Sequence, residues 1–156
     1  MRKAAALVSL MLGMAGCLAP PPASERVVDA ARELNVATRF GRMDVALGLT
    51  ARTLQSSFIE RRSEWGNHLR ILDVELAGLE LPERGRAIVQ VNVAWMRADD
   101  ATMRTTRLSQ VWREQDGGWK LTREKRLSGD LGLFGEPVKL VRAEARDVHF
   151  PSRTLR

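Results

Sequence analysis

Between Val27 and Thr38 the apolar positions recur at helical spacing: Val27, Ala30, Ala31, Leu34 and Thr38 share one face. Ser24 is the expected N-cap, with Glu25 in the favourable first turn. The helix should end near Arg39, where Phe40-Gly41 breaks the pattern. Met43, Ala46, Leu47 and Leu49 predict a short second helix. Leu54, Phe58, Arg61, Arg62 and Trp65 predict a third, stopping at Gly66-Asn67.

Beyond Asn67 the period changes to two. Leu72, Val74 and Leu76 alternate with Asp73 and Glu75, a strand with one wet face. Leu81-Pro82-Glu83-Arg84-Gly85 is turn chemistry. A longer strand follows, with Val89, Val91, Val93 and Trp95 on one side and Ile88, Gln90, Asn92 and Ala94 on the other. Asp99-Asp100 marks the next turn. The third strand, about Arg104 to Arg113, sets Thr106, Leu108, Gln110 and Trp112 on one face. Asp116-Gly117-Gly118 is a hairpin signal, because a tight hairpin turn needs positive backbone angles that glycine accepts. The last strand runs from Trp119 to about Leu127. Helices first and then an antiparallel meander give an α+β fold, with three N-terminal helices packed on one side of a curved sheet. Gly129, Gly132, Gly135 and Pro137 argue against a long element after Ser128, although Val138 to Val141 could add a short strand.

The stretch from Gln110 to Leu121, with Trp112, the Asp116-Gly117-Gly118 turn and then Trp119-Lys120-Leu121, resembles the last hairpin of NTF2-like proteins, the nuclear transport factor 2 superfamily. Together with the helical first half, the resemblance covers about residues 25–128 and assigns an NTF2-like domain to 24–128. It implies an open cone whose mouth can hold a small apolar ligand, and Trp95 and Trp112 are the candidate residues lining it. Isomerases of this superfamily use a carboxylate base with a tyrosine and a protonated acid as oxyanion donors. This chain contains no tyrosine. Asp73 and Glu75 lie nearest a cone wall, but at wet positions of an alternating strand, where neither burial nor a charged neighbour would tune them for catalysis. Trp65, Trp95, Trp112 and Trp119 are expected in the core.

The first residues change the picture of where the domain works. Arg2 and Lys3, the apolar run Ala4–Leu12 and the small residues Gly13–Gly16 have the three parts of an export signal. The apolar run reaches about 12 residues at most, against the roughly 20 that span a bilayer. Met14-Ala15-Gly16-Cys17 resembles a bacterial lipobox, with Met14 where leucine is most frequent. The resemblance implies a signal peptide over 1–16 and lipid attachment at Cys17; an ordinary secretory signal is the alternative. Residues 17–23, with Pro20-Pro21-Pro22, form a lipidated, stiff, proline-rich tether. Leu18 in place of aspartate favours the outer membrane, on the side facing the periplasm. The expected localisation is the cell envelope.

Cys17 is the sole cysteine, so a mature chain of about 140 residues holds no internal disulfide and relies on an ordinary core. Losing Arg2 and Lys3 leaves 23 Lys and Arg against 19 Asp and Glu, a net charge of about +4. An exported basic protein meets anionic lipids and polymers rather than nucleic acid, or simply carries a solvated surface with excess arginine. His68 and His149 are isolated, which is too few donors for a zinc site, so neither a metal nor a cofactor is expected. No nucleophile elbow or glycine-rich phosphate loop occurs. The sequence therefore favours a lipid-anchored periplasmic binding or assembly domain, leaning away from an enzyme. The alternative is an isomerase- or hydratase-like enzyme acting on a small apolar ligand in the cone. Expected partners are the membrane, through the lipid, and an envelope protein or a second copy. For the latter, the sheet face bearing Ile88, Ala94, Met96 and Val111 is the candidate surface. Residues 129–156 read as a C-terminal extension.

Overall fold

A polyproline turn feeds directly into the first helix. In the computed structural model, which describes residues 20–138, α1 spans Ala23–Arg39, with Pro22 at its N-cap position and no side-chain cap. The expected cap at Ser24 is corrected: the helix begins two residues earlier, because Pro22 holds φ at −59° and its carbonyl already accepts from Arg26 N–H at 3.1 Å. Glu25 does occupy the first turn. Val27, Ala31, Leu34, Asn35, Ala37 and Thr38 are buried along one face. Gly41, at φ +71°, reverses the chain.

α2 spans Met43–Gly48 and α3 Arg52–Glu60. The third helix was expected to reach Gly66, but it stops at Glu60. From there Arg62 N–H bonds to Ile59 O, Ser63 N–H to Glu60 O and Trp65 N–H to Arg62 O. These are three-residue steps, tighter than an α-helix, and over this stretch the chain buries the Arg62 side chain.

Four strands follow in the antiparallel order β1-β2-β3-β4: β1 Leu69–Glu83, β2 Arg86–Arg97, β3 Asp100–Gln115 and β4 Gly118–Gly129. Ala87, Val89, Val91, Val93 and Trp95 of β2 face the helices, as do Thr106, Leu108, Gln110 and Trp112 of β3. β1 departs from simple alternation. Register shifts between Ile71 and Asp73 and between Leu76 and Gly78 each insert one residue, so Ile71, Val74, Leu76 and Leu79 are the ones that pack on the core. Leu72, expected inside, is corrected: it is the extra residue at the first bulge. β1 also continues through Pro82, which shrinks the expected Leu81–Gly85 turn to Arg84-Gly85. The last hairpin turns on Asp116 and Gly117, both at positive φ (51° and 76°), as a two-residue turn matched to strand twist requires.

The free edge of β4 is partly covered. Leu121 N–H donates to Leu49 O, and Ala51 N–H donates to Leu121 O, both at 2.9 Å, so the α2–α3 linker adds one parallel bridge. Residues 130–138 form no helix or strand, yet they fold back over the end of the cone, and Leu133 is fully buried in the same core as Trp95 and Phe58. Residues 1–19 and 139–156 lie outside the described residues. With them fall the signal peptide, Cys17, most of the proposed 138–141 strand and His149.

Candidate functional site

The inner face of the sheet should form the cone wall, and its centre is polar. Gln110 interrupts the apolar run between Leu108 and Trp112, and Glu124 of β4 is its registered neighbour. Gln110 Nε2 donates to Glu124 Oε1 at 2.9 Å and to Asn35 Oδ1 at 3.0 Å, while Asn35 Nδ2 donates back to Gln110 Oε1 at 3.1 Å. Asn35 Nδ2 also reaches Ala31 O at 2.7 Å. From the other side Arg62 Nη2 donates to both carboxylate oxygens of Glu124, at 2.9 and 2.8 Å. Both side chains of this ion pair are almost wholly buried, at 1% and 2% exposure.

Burial drives the Arg62 pKa down from its ordinary value, opposed by the charge of Glu124 and the hydrogen bond to it. The guanidinium also lies over Phe58, 3.6 Å from the ring centroid, and 4.8 Å from that of Trp65. Its Nε has no partner among the described residues. α1 thus contributes Asn35, the turn after α3 Arg62, β3 Gln110 and β4 Glu124. The four side chains close the interior where a pocket was expected.

The end of the cone is closed by the strap 130–138. Asp130 holds its start: Thr105 N–H donates to Asp130 Oδ2 at 2.9 Å, Asp130 N–H to Thr105 O at 3.0 Å, and Thr106 Oγ1 to Asp130 O at 2.8 Å. Trp95 Nε1 in turn donates to Thr106 Oγ1 at 2.9 Å, and Trp65 Nε1 to Leu133 O at 2.9 Å. Glu136 accepts from the Gly132 and Phe134 amides at 3.0 and 2.9 Å, curling the strap into a tight turn. A side chain at Gly132 would meet Trp95 and Val138, so the strap presses directly on the indole.

Trp95 and Trp112, the candidate pocket residues, are both fully buried and present no ring face to solvent. Trp119 is buried too, and Trp65 is half-buried over the core. Asp73 and Glu75 face water; Asp73 accepts from Arg39 Nη1 at 2.9 Å on the surface. His68 is exposed in the α3–β1 turn. Where the end of α1 meets the start of β1 and the end of β2, a groove of about 430 Å³ is lined by Arg39, Leu69, Arg70, Ile71, Met96 and Arg97. Among the described residues no cluster of three metal-ligating side chains occurs, and no helix is long and apolar enough to cross a membrane.

The outer sheet face is organised differently. Ile88, Ala94 and Met96 are half-buried there, and Val111 is buried at 9% among its outer-face neighbours. Gln90, Asn92 and Ser109 complete a polar centre that also holds exposed Arg107, whose Nε donates to Asn92 Oδ1 at 2.9 Å. Glu75 and Glu80 flank it on β1, and Arg123 and Lys125 on β4. All four are exposed, and none has an ion-pair partner among the described residues. Sequence reasoning named the apolar members of this face but missed the segregated charges and the Arg62–Glu124–Gln110–Asn35 network. The readable signal for the network was a glutamine and a glutamate placed in register on the apolar side of two neighbouring strands.

No protein-family model and no curated protein matches the chain. Solved structures do. An NTF2-like protein from Cytophaga hutchinsonii superposes with a TM-score of 0.57 at 16% identity, covering 69% of this chain and 99% of that one. A SEC-C motif containing protein from Rhodopseudomonas palustris gives 0.54 at 14% identity, over 64% of this chain and 77% of its own. A protein of unknown function with a cystatin-like fold from Nostoc punctiforme gives 0.50 at 11% identity, over 66% and 88%. The fold is therefore the NTF2-like α+β arrangement of three helices on an open four-stranded sheet.

Proposed function

We propose that this chain is a lipid-anchored binding or assembly domain of the cell envelope, which meets a protein partner through its outer sheet face. Cys17 carries the lipid, Pro20-Pro21-Pro22 hold the domain off the membrane, and the anchor sits in the leaflet of the outer membrane that faces the periplasm. The observation that carries the reading is the filled interior. With Arg62, Glu124, Gln110 and Asn35 closing the cone and Leu133 sealing its end, the broad surface left for recognition is the outer sheet. That surface carries a patch of uncharged residues, Ile88, Gln90, Ser109 and Val111, of the kind that excludes water at an interface, with charged residues around it.

The isomerase- or hydratase-like alternative has one observation on its side, since Glu124 is a buried carboxylate inside the cone. Both of its oxygens are held by Arg62, however, and a general base needs an oxygen free to reach its substrate.

Two arms test the proposal in the bacterium. Cys17→Ser should abolish labelling by a clickable fatty acid and release the protein from membranes; labelling that persists removes the anchor. A photo-crosslinking residue at Gln90 on the outer face should trap a protein neighbour, whereas one at exposed Arg32 on the helix face should not. Crosslinks from Arg32 alone would move the working surface to the helices.

A further inference from the structure

Arginine gathers at one end of the sheet with no acid among it. The groove of about 430 Å³ there is lined by Arg39 from the last turn of α1, Arg70 from β1 and Arg97 from β2, and no carboxylate lines it. In register, Arg70 stands opposite Met96 and Arg97 opposite Leu69, so the groove turns around the end of the sheet and draws residues from both faces. Arg62, Glu124, Gln110 and Asn35, which fill the cone, are not part of its wall.

Stability alone does not account for this gathering, because three guanidinium groups in one groove repel one another. Two of them are steadied by acids that do not line the groove. Asp73 accepts from Arg39 Nη1 at 2.9 Å, and Asp99 accepts from Arg97 Nε at 2.9 Å and from its Nη2 at 3.3 Å. These bonds fix two side chains that are only 32% and 23% exposed, where charge is screened less than on an open surface. Arg70 is exposed and has no ion-pair partner among the described residues, so its donor fork is available. The negative end of α1 also lies here, but it amounts to about half a charge against three cations. Its Val36, Ala37 and Thr38 carbonyls already accept from the amides of Phe40, Arg42 and Gly41. Leu69, Ile71 and Met96 give the same groove an apolar side.

We propose that this groove binds a small organic carboxylate, with its head on Arg70 and its apolar body against Leu69, Ile71 and Met96. An arginine fork bonds a carboxylate twice in one plane, and the single fork without a partner matches a single carboxylate head. Arg39 and Arg97, already oriented, add charge from the helix and from β2. The groove's volume lies in the range of small-molecule sites. The inference stands apart from the lipid anchor and from the outer-face partner, so its failure would leave both untouched.

The test uses the full chain with Cys17→Ser, which carries no lipid of its own to compete for the groove. The probe is octanoate, followed through the Met96 methyl in carbon-13 methionine NMR spectra and assigned with Met96→Leu. The Met96 signal should shift saturably with a Kd of about 1 mM or tighter. Binding should weaken as salt is raised, because the head is charged. Neutral octanamide should bind about tenfold more weakly, having lost the charge-assisted bonds. Arg70→Gln should weaken octanoate by about the same factor, whereas Arg32→Gln, on the exposed face of α1, should leave it unchanged. Circular dichroism checks that each variant is folded. A Met96 signal that does not saturate by about 10 mM octanoate, some ten times the expected constant, would overturn the proposal. So would octanamide binding as tightly as octanoate, or equal losses from Arg70→Gln and Arg32→Gln, since apolar contact or overall charge would then explain the binding. Acetate binding as tightly as octanoate would remove the apolar half of the site and contradict the proposal as well.

Discussion

Arg62 and Glu124 are the two charges that this core can least afford to separate. A buried ion pair contributes little net stability, because desolvation consumes most of the attraction, but removing one partner strands the other. Glu124→Ala should therefore cost about 3 to 5 kcal/mol in chemical denaturation, whereas Arg61→Ala, next door and half-buried, should cost well under half of that. Equal losses at the two positions would mean that the Arg62 pair is not buried as described. Neither charge was legible as a site in the sequence. Arg62 sits at helical spacing with Leu54 and Phe58 and reads as an ordinary helix residue. Its burial follows the three-residue turns after Glu60, which helical periodicity does not forecast. Gln110 was placed correctly on the inner face of β3, yet a glutamine there has a meaning only once Asn35 and Glu124 are known to meet it.

At the scale of elements, alternation and turn chemistry carried the sheet. The 116–118 turn, the β2 face from Val89 to Trp95 and the β3 face from Thr106 to Trp112 were all readable, because a period of two maps residue identity onto a face without any tertiary information. Trp119→Ala should lower stability by about 3 to 5 kcal/mol, as for other large-to-small changes in a core. β1 was harder, since each bulge shifts the phase by one and moves the inward set from Leu72 to Ile71. The strap was harder still. Its glycines correctly ruled out a long element, but nothing local shows that Leu133 enters the core of a domain that seemed to end at 128. Leu133→Ala should cost about 2 to 5 kcal/mol despite its place in an irregular segment. Gly129 is a second test of the strap's entry: at φ +89° a methyl there would collide with the Thr105 carbonyl, so Gly129→Ala should destabilise by more than about 1 kcal/mol. A denaturation midpoint that hardly moves for either variant would show the strap to be detached.

At the scale of the whole molecule, the cone is closed by its own side chains and by the 130–138 strap, which leaves the opposite face of the sheet as the proposed recognition surface. Pocket reasoning from fold alone pointed inward, to Trp95 and Trp112; packing places both indoles beneath other residues. Which face a half-open sheet uses depends on what fills its concave side, and that is decided by contacts between distant segments such as Asn35 with Gln110, or Leu133 with Trp65. Native-state hydrogen exchange on the intact chain reads this closure directly. The indole N–H groups of Trp65 and Trp95 and the amide of Phe134 are held by Leu133, Thr106 and Glu136 respectively. All three should exchange as slowly as the central amides of β2 and β3, opening only with global unfolding. If Trp95 and Phe134 exchange freely while those strand amides stay protected, the strap opens in the native state, the cone is accessible, and the account of a sealed interior is wrong.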